Sequence, residues 1–281
     1  MAQIFNIACL QTRPMPDIDA AIDEALPLAE KAVRDGAQFL FLPEYCGGLV
    51  SDGPALVPPS EPEEKHAFLK AFRDFAKFNN VWVMIGSIAV NGPDGKIRNR
   101  GFVLDDQGNV QSRYDKIHMF DIQLSETEVF RESANVAPGN ECACVSTPFG
   151  MIGHTICYDL RFPHLYRSLA QAGADILAIP AAFMKKTGEA HWHVLNRARA
   201  IENGSFVIAP CAIGEIPGGG ISYGHSLVVN PWGEVIADGG DTPGVVMALI
   251  DLEQVASARA RIPSLKHDRS FKQTNQISRV T

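Results

Sequence analysis

The chain has 281 residues, 46% hydrophobic and 20% charged, with a formal net charge of −7. At this length a folded chain buries roughly 75% of the surface its unfolded form exposes, so the core needs no disulfide or metal staple. An acidic chain without a basic block argues against a nucleic-acid partner, and its apolar runs are far too short to cross a bilayer.

Residues 1–6 carry neither the basic start nor the apolar stretch of a signal peptide. The expectation is a cytoplasmic protein without membrane contact, in which thiols stay reduced. The six cysteines, Cys9, Cys46, Cys142, Cys144, Cys157 and Cys211, show no Cys-x-x-Cys spacing. They read as small buried hydrophobes, except that one can be chemically active.

Residues 4–10 form an apolar run with strand character. A helix is expected over residues 17–36, with Ile18, Ala21, Ala25, Leu28 and Ala32 at threes and fours. Pro27 falls inside it, where a kink is expected. A short apolar strand at residues 39–42 runs into Pro43-Glu44. A second helix spans residues 63–79, with Phe68, Phe72, Phe75 and Ala76 on one face, and a buried strand follows at 81–88. Residues 100–104 and 110–114 pair as a hairpin. The stretch 117–142 reads as irregular. A strand at 151–156 stops at Cys157, a helix covers 163–172 with proline in its first turn, and a strand at 176–179 ends at Pro180. A helix over 191–203 follows. Strands at 206–211, 226–230, 235–237 and 245–251 and a helix at 252–261 complete the chain.

Apolar strands alternating with helices predict an α/β layered fold with helices covering sheets. No repeat period and no low-complexity linker is visible, so residues 1–281 read as one domain. The segment 262–281 reads as a tail, either frayed or lying on a partner subunit.

Three polar residues close three strands: Glu44, Lys116 and Cys157. Ligand sites of open α/β sheets collect at strand ends. A carboxylate can take the proton of a thiol, the thiolate is a nucleophile, and an ammonium can stabilise the oxyanion formed on a carbonyl. The set suits acyl transfer from carbon bonded to nitrogen. Each residue also has a plainer reading: a helix-start acid, a solvated lysine, a core thiol. Spacing alone does not choose between them.

The segments around these residues resemble the carbon–nitrogen hydrolase family, the nitrilase superfamily. The likeness is carried by Phe-Leu-Pro-Glu44, Tyr-Asp-Lys116-Ile-His-Met-Phe-Asp and Ile-Cys157-Tyr-Asp-Leu-Arg-Phe-Pro. It continues in Thr187-Gly-Glu-Ala-His-Trp192, Arg197-Ala-Arg-Ala-Ile-Glu-Asn203 and Tyr223-Gly-His-Ser-Leu-Val-Val-Asn-Pro-Trp-Gly233. These run in the family's order from residue 4 to about residue 270. The resemblance implies a four-layer αββα sandwich, with Glu44 as general base, Lys116 as oxyanion stabiliser, Cys157 as nucleophile, Glu132 as a supporting acid and the Tyr158 N–H as second oxyanion donor. It implies hydrolysis of an amide through a cysteine thioester, with water as co-reactant, no cofactor and no metal, in a homodimer or larger homo-oligomer.

Cys157-Tyr158-Asp159 looks like the amidase branches rather than the nitrile-hydrolysing ones, and the later motifs resemble the ω-amidase and deaminated-glutathione amidase group. Such substrates carry carboxylates, so a cationic anchor is expected. Arg131, Lys185 and Lys186 are the candidates, each also readable as solvated. Arg161 and Arg199 are read as structural ion pairs with Asp159 and Glu202. Segments 49–61 and 214–220 depart from the group's pattern and are read as specificity loops. N-carbamoyl hydrolysis, nitrile hydrolysis and a catalytically silent binding protein of the same fold are the alternatives.

Two decoys are set aside. Ser222 sits in a Gly-x-Ser-x-Gly match but lacks the strand-to-helix setting of a nucleophile elbow. His191 and His193, with Glu189, do not make a ligand pair, because residues two apart on a helix do not share a face.

Overall fold

In the computed structural model, which describes residues 4–126 and 128–272, side chains alternate along β1 (Ile4–Gln11). Phe5, Ile7 and Cys9 enter one buried cluster while Ala8 and Leu10 enter another. The period of two puts successive residues on opposite faces. The same division runs through β2 (Phe39–Phe41), where Phe39 and Phe41 face one way and Leu40 the other.

β1 and β2 belong to a sheet completed by β3 (Trp82–Asn91), β4 (Ile97–Leu104), β5 (Val110–Asp115) and the late strand β12 (Gly244–Asp251), in the order β12-β1-β2-β3-β4-β5, with Ser60–Glu61 alongside β3. The second sheet has β6 (Ala143–Thr147), β7 (Gly150–His154), β8 (Ile176–Ala178), β9 (Phe206–Ala209), β10 (Leu227–Val229) and β11 (Val235–Asp238), in sequence order. From edge to edge the pairing in both sheets is antiparallel, parallel, parallel, antiparallel, antiparallel. The two sheets therefore share one pattern.

Their inner faces make a common core, with Phe5, Phe39, Phe41 and Met84 against Ile152, Ile176, Phe206 and Ile208. The outer face of the first sheet is covered by α1 (Ile18–Arg34) and α2 (Ala67–Asn79), through Ala21, Ala25, Phe68 and Phe72. α3 (Pro163–Gln171) and α4 (Lys185–Asn203) cover the second, through Leu165, Leu169, Trp192 and Ala200. The result is the four-layer αββα sandwich. A last helix, α5 (Glu253–Arg261), follows β12.

Several elements differ from expectation, among them the unanticipated strand β6 and the hairpin Ile213–Glu215 with Ile221–Tyr223. α1 runs unbroken through Pro27. α4 begins at Lys185 instead of residue 191, although Gly188 lies in its first turn. A Cβ at Gly188 would lie 2.4 Å from the Tyr223 ring, so close packing selects a residue that helix propensity disfavours. The stretch expected to be irregular contains a small hairpin, Asp121–Gln123 with Val129–Arg131, and the 3-10 turn Glu132–Ala134.

The described part of the tail, residues 262–272, docks on α3: Arg167 Nη2 donates to the Ser264 carbonyl at 2.6 Å and pairs with Asp268. Residues 273–281 lie outside the described residues, Arg279 among them.

Candidate active site

Glu44 stands three residues beyond β2, and the chain leaves that strand under tight constraint. The Ser87 hydroxyl accepts the Tyr45 N–H at 2.9 Å, and the Ser87 N–H donates to the Pro43 carbonyl at 3.2 Å. These contacts need Gly86: a Cβ there would lie 2.1 Å from the Leu42 oxygen and 2.4 Å from the Pro43 oxygen. Tyr45 itself is left-handed, with φ of 51°.

Lys116 follows β5, its N–H donating to the Asn99 carbonyl at 3.0 Å. Cys157 follows β7 by three residues and opens the 3-10 turn Cys157–Arg161. Its N–H donates to the Pro180 carbonyl at 2.9 Å, and its φ is 48°. For a residue with a Cβ that conformation costs about 1–2 kcal/mol. It turns the chain sharply at the thiol and leaves the Tyr158 N–H without an acceptor among the described residues.

These three ends meet. Lys116 Nζ donates to Glu44 Oε1 at 2.8 Å and to both oxygens of Glu132, at 3.0 and 2.8 Å. Lys116, Glu44 and Glu132 are 2%, 4% and 2% exposed. Two carboxylates share one ammonium, so the cluster is net negative. Every remaining oxygen is served: Ala182 N–H to Glu44 Oε2 at 2.9 Å, Phe120 N–H to Glu132 Oε2 at 2.6 Å, and Tyr45 OH to Glu132 Oε1 at 3.3 Å. Such satisfaction is what makes a buried ion cluster tolerable.

Burial works to lower the Lys116 pKa, but Glu132 and Glu44 outweigh it and hold it well above the ordinary lysine value. The Cys157 thiol goes up too. Burial is the largest cause, and the charge and hydrogen bond of Glu44 add to it against the pull of Lys116. The resting thiol is therefore protonated. Moving its proton to Glu44 keeps the cluster's net charge constant, which is the cheap way to make a buried thiolate.

Asp159 fastens the two sides. It is fully buried and accepts from Tyr114 OH at 2.7 Å, from the His118 N–H at 3.1 Å and from the Ile156 N–H at 2.8 Å, with the His118 ring 2.7 Å away. The Lys116 segment of one sheet is thus tied to the cysteine turn of the other.

Glu44, Lys116, Glu132, Cys157 and Tyr158 line one pocket, with Tyr45, Phe120, Phe130, Phe183, Met184 and Ile216 as its largely apolar wall. The two departing segments form part of it: Leu49, Ser51, Pro54 and Leu56 from one, Ile216 and Gly219 from the other. They touch through the Ser51 N–H and the Pro217 carbonyl at 2.8 Å.

Arg131, Lys185 and Lys186 are not among the lining residues. All three are exposed, Arg131 turns back on the Phe130 carbonyl, and Lys186 is paired with Glu128 at 2.6 Å. Arg199 pairs with Glu202 at 3.0 Å as expected, but Arg161 does not reach Asp159. Its guanidinium lies over the rings of Tyr158 and Phe183, 5.8 and 5.6 Å from their centroids, with no carboxylate in ion-pair range among the described residues. Asn99 was missed altogether. Its Nδ2 donates to Glu44 Oε1 at 2.9 Å and to Glu132 Oε1 at 3.3 Å. The only signal was a poor strand former inside a strand. Ser222 is buried in the strand Ile221–Tyr223, outside the pocket.

The carbon–nitrogen hydrolase family model matches residues 6–260. The chain belongs to the carbon–nitrogen hydrolase family. It is 37% identical to a deaminated glutathione amidase of Synechocystis over 94% of this chain and 97% of that protein. The human deaminated glutathione amidase is also 37% identical, over 94% of this chain and 82% of that one. Among solved structures of the family, the C. elegans NitFhit protein superposes with a TM-score of 0.87 at 31% identity, covering 96% of this chain and 66% of that one. Saccharomyces cerevisiae Nit3, of branch 10 of the nitrilase superfamily, gives 0.81 at 27% identity over 93% and 95%. Among the described residues of this family member, no helix is long and apolar enough to cross a membrane.

Proposed function

We propose that the protein hydrolyses the amide of a small carboxylate-bearing molecule through a Cys157 thioester and releases ammonia. The observation that carries this reading is the buried, protonated thiol set against the Glu44–Lys116–Glu132 cluster. Glu44 takes the thiol proton as sulfur attacks the amide carbon. The oxyanion rests between Lys116 Nζ and the Tyr158 N–H. The tetrahedral intermediate collapses, the C–N bond breaks, and ammonia leaves with the proton from Glu44. Water then gives a proton to Glu44 and adds to the thioester, and the acid departs as the thiol is restored. Glu132 keeps Lys116 charged and aimed.

The pocket wall is largely apolar and Lys116 is its one cation among the described residues, so a substrate carboxylate needs a partner at the rim. Arg161 fits that place best, being next to two lining rings and free of an acid. Arg131, Lys185 and Lys186 stand farther out as secondary attractors. The relatives' activity puts a deaminated-glutathione-type amide first among substrates.

The reading carries a single catalytic domain over residues 1–281, small amide and water as the only co-reactants, no nucleic acid and cytoplasmic residence. A homodimer or larger homo-oligomer is supported by Val194, Ile201 and Trp232, exposed by 66%, 54% and 53% on and beside α4, and the tail 262–281 is read as part of that contact.

The test is an ammonia-release screen over deaminated glutathione, α-ketoglutaramate, α-ketosuccinamate, aliphatic amides, N-carbamoyl amino acids and nitriles. Turnover should be highest on a carboxylate-bearing amide and absent in Cys157→Ala. Arg161→Gln should raise KM roughly 10–100-fold for that substrate and leave a simple aliphatic amide unaffected. Undiminished turnover in Cys157→Ala sinks the proposal, and preference for a nitrile reassigns the substrate class.

A further inference from the structure

A second cluster of chemistry-bearing side chains lies outside the pocket. His193 projects from α4, His225 lies in the bend between Ile221–Tyr223 and β10, and Asp238 ends β11. Asp238 divides its carboxylate between the two rings: Oδ2 is 3.0 Å from His193 Nε2 and Oδ1 is 2.9 Å from His225 Nδ1. One nitrogen of each imidazole and a carboxylate oxygen all lie within 4.8 Å of one another.

The frame around them is built. Tyr223 stacks on the His225 ring at 4.6 Å and meets the His193 ring edge-on at 6.2 Å. His225 keeps a left-handed backbone, φ 52°, which a residue with a Cβ adopts only under constraint. Its N–H donates to the Gly240 carbonyl at 2.8 Å, and the Gly240 N–H donates to Asp238 Oδ1 at 2.9 Å. All three side chains are open to solvent in part.

From this geometry we propose that His193, His225 and Asp238 bind a divalent transition-metal ion of the zinc class. Two imidazole nitrogens and one carboxylate oxygen are a zinc-type donor set, with a fourth position left to water. Bonds of about 2.0–2.2 Å place ligand atoms roughly 3.4 Å apart, and the present spacings, 2.9 and 3.0 Å between carboxylate and rings and at most 4.8 Å overall, reach that by small side-chain rotations. Residues two apart on a helix cannot share an ion, and His193 does not need to. Its partners come 32 and 45 positions later, on the sheet side. None of the three lines the substrate pocket, so the ion takes no part in the amide reaction. It would pin α4 to the strands behind it. The Trp192 Nε1–H already donates to the His225 carbonyl at 2.8 Å, and the Trp192 ring packs 4.9 Å from Phe183, a pocket wall.

The test titrates the tag-free full chain with Zn²⁺ by calorimetry and with Co²⁺ by visible absorption. One saturating equivalent is expected, with a Co²⁺ spectrum lacking a sulfur charge-transfer band and a Tm raised by Zn²⁺. His193→Gln and Asp238→Asn should weaken binding by more than about tenfold, with native circular dichroism and unchanged metal-free turnover. The proposal is overturned by a lack of saturable binding, by native affinity retained in His193→Gln or Asp238→Asn, or by a sulfur band placing the ion on a cysteine.

Discussion

Asn99 touches all three residues of the cluster. Its side chain donates to both glutamates and its carbonyl takes the Lys116 backbone N–H, while its own Oδ1 has no partner among the described residues. Replacing it with leucine keeps the branched outline of the side chain and removes two hydrogen bonds to charged oxygens, each worth about 1.5–3 kcal/mol. Asn99→Leu should therefore lower kcat about 10–100-fold while moving KM little, because Asn99 does not line the pocket; steady-state kinetics on the best amide reads this. At this scale the sequence is eloquent where chemistry and a strand end coincide, as at Glu44, Lys116 and Cys157. It is silent where one amide is bonded across strands, because an asparagine inside a strand carries no mark of what it faces. Arg161 illustrates the same limit. A nearby acid in sequence suggested an ion pair, but the buried Asp159 spends its oxygens on Tyr114, His118 and Ile156.

The elements most at odds with their own residues are those pressed into place by others. Gly188 sits in a helix because the Tyr223 ring leaves no room for a side chain, and a hairpin arises in a stretch without clear periodicity. The loops 49–61 and 214–220 were legible as departures, and their meeting over the pocket was not, since a cross-loop backbone bond between Ser51 and Pro217 and the packing of Leu49 and Leu56 with Ile216 make it. Gly218 is the pivot of that meeting. Its φ is 87°, and a Cβ would lie 1.8 Å from the Ser51 oxygen. Gly218→Ala should push the loops apart. KM is expected to rise several-fold with kcat and Tm nearly unchanged, because Glu44, Lys116, Glu132 and Cys157 lie on other elements. An unaltered KM would show that the loops do not shape substrate binding.

For the molecule as a whole, alternation and strand–helix order were enough for the layers. The shared pairing pattern of the two sheets was not readable, because it is a repeat of geometry and not of residues. His154 lies at the end of β7, where Tyr114 of the other sheet meets its ring edge-on at 6.1 Å. It is fully buried, neither ring nitrogen has a partner among the described residues, and burial lowers its pKa to about 4. The native state thus resists a proton that the unfolded chain accepts below about 6.5. Stability is full above that value and declines as pH falls from about 6.5 to about 4, by about 3 kcal/mol in all. Urea midpoints at pH 7 and pH 5 should diverge for the native chain and converge in His154→Phe.

The strand made last, β12, lies beside the first, β1, in eight-residue register from Ile4↔Asp251 to Gln11↔Gly244. While the ribosome is still extending the chain, β1 has only β2 to pair with, and that flank of the first sheet is raw. Contacts that span almost the entire sequence are slow to form. Cys157, already synthesised, must wait for them, so the newborn polypeptide carries an unguarded edge until residues 244–251 emerge.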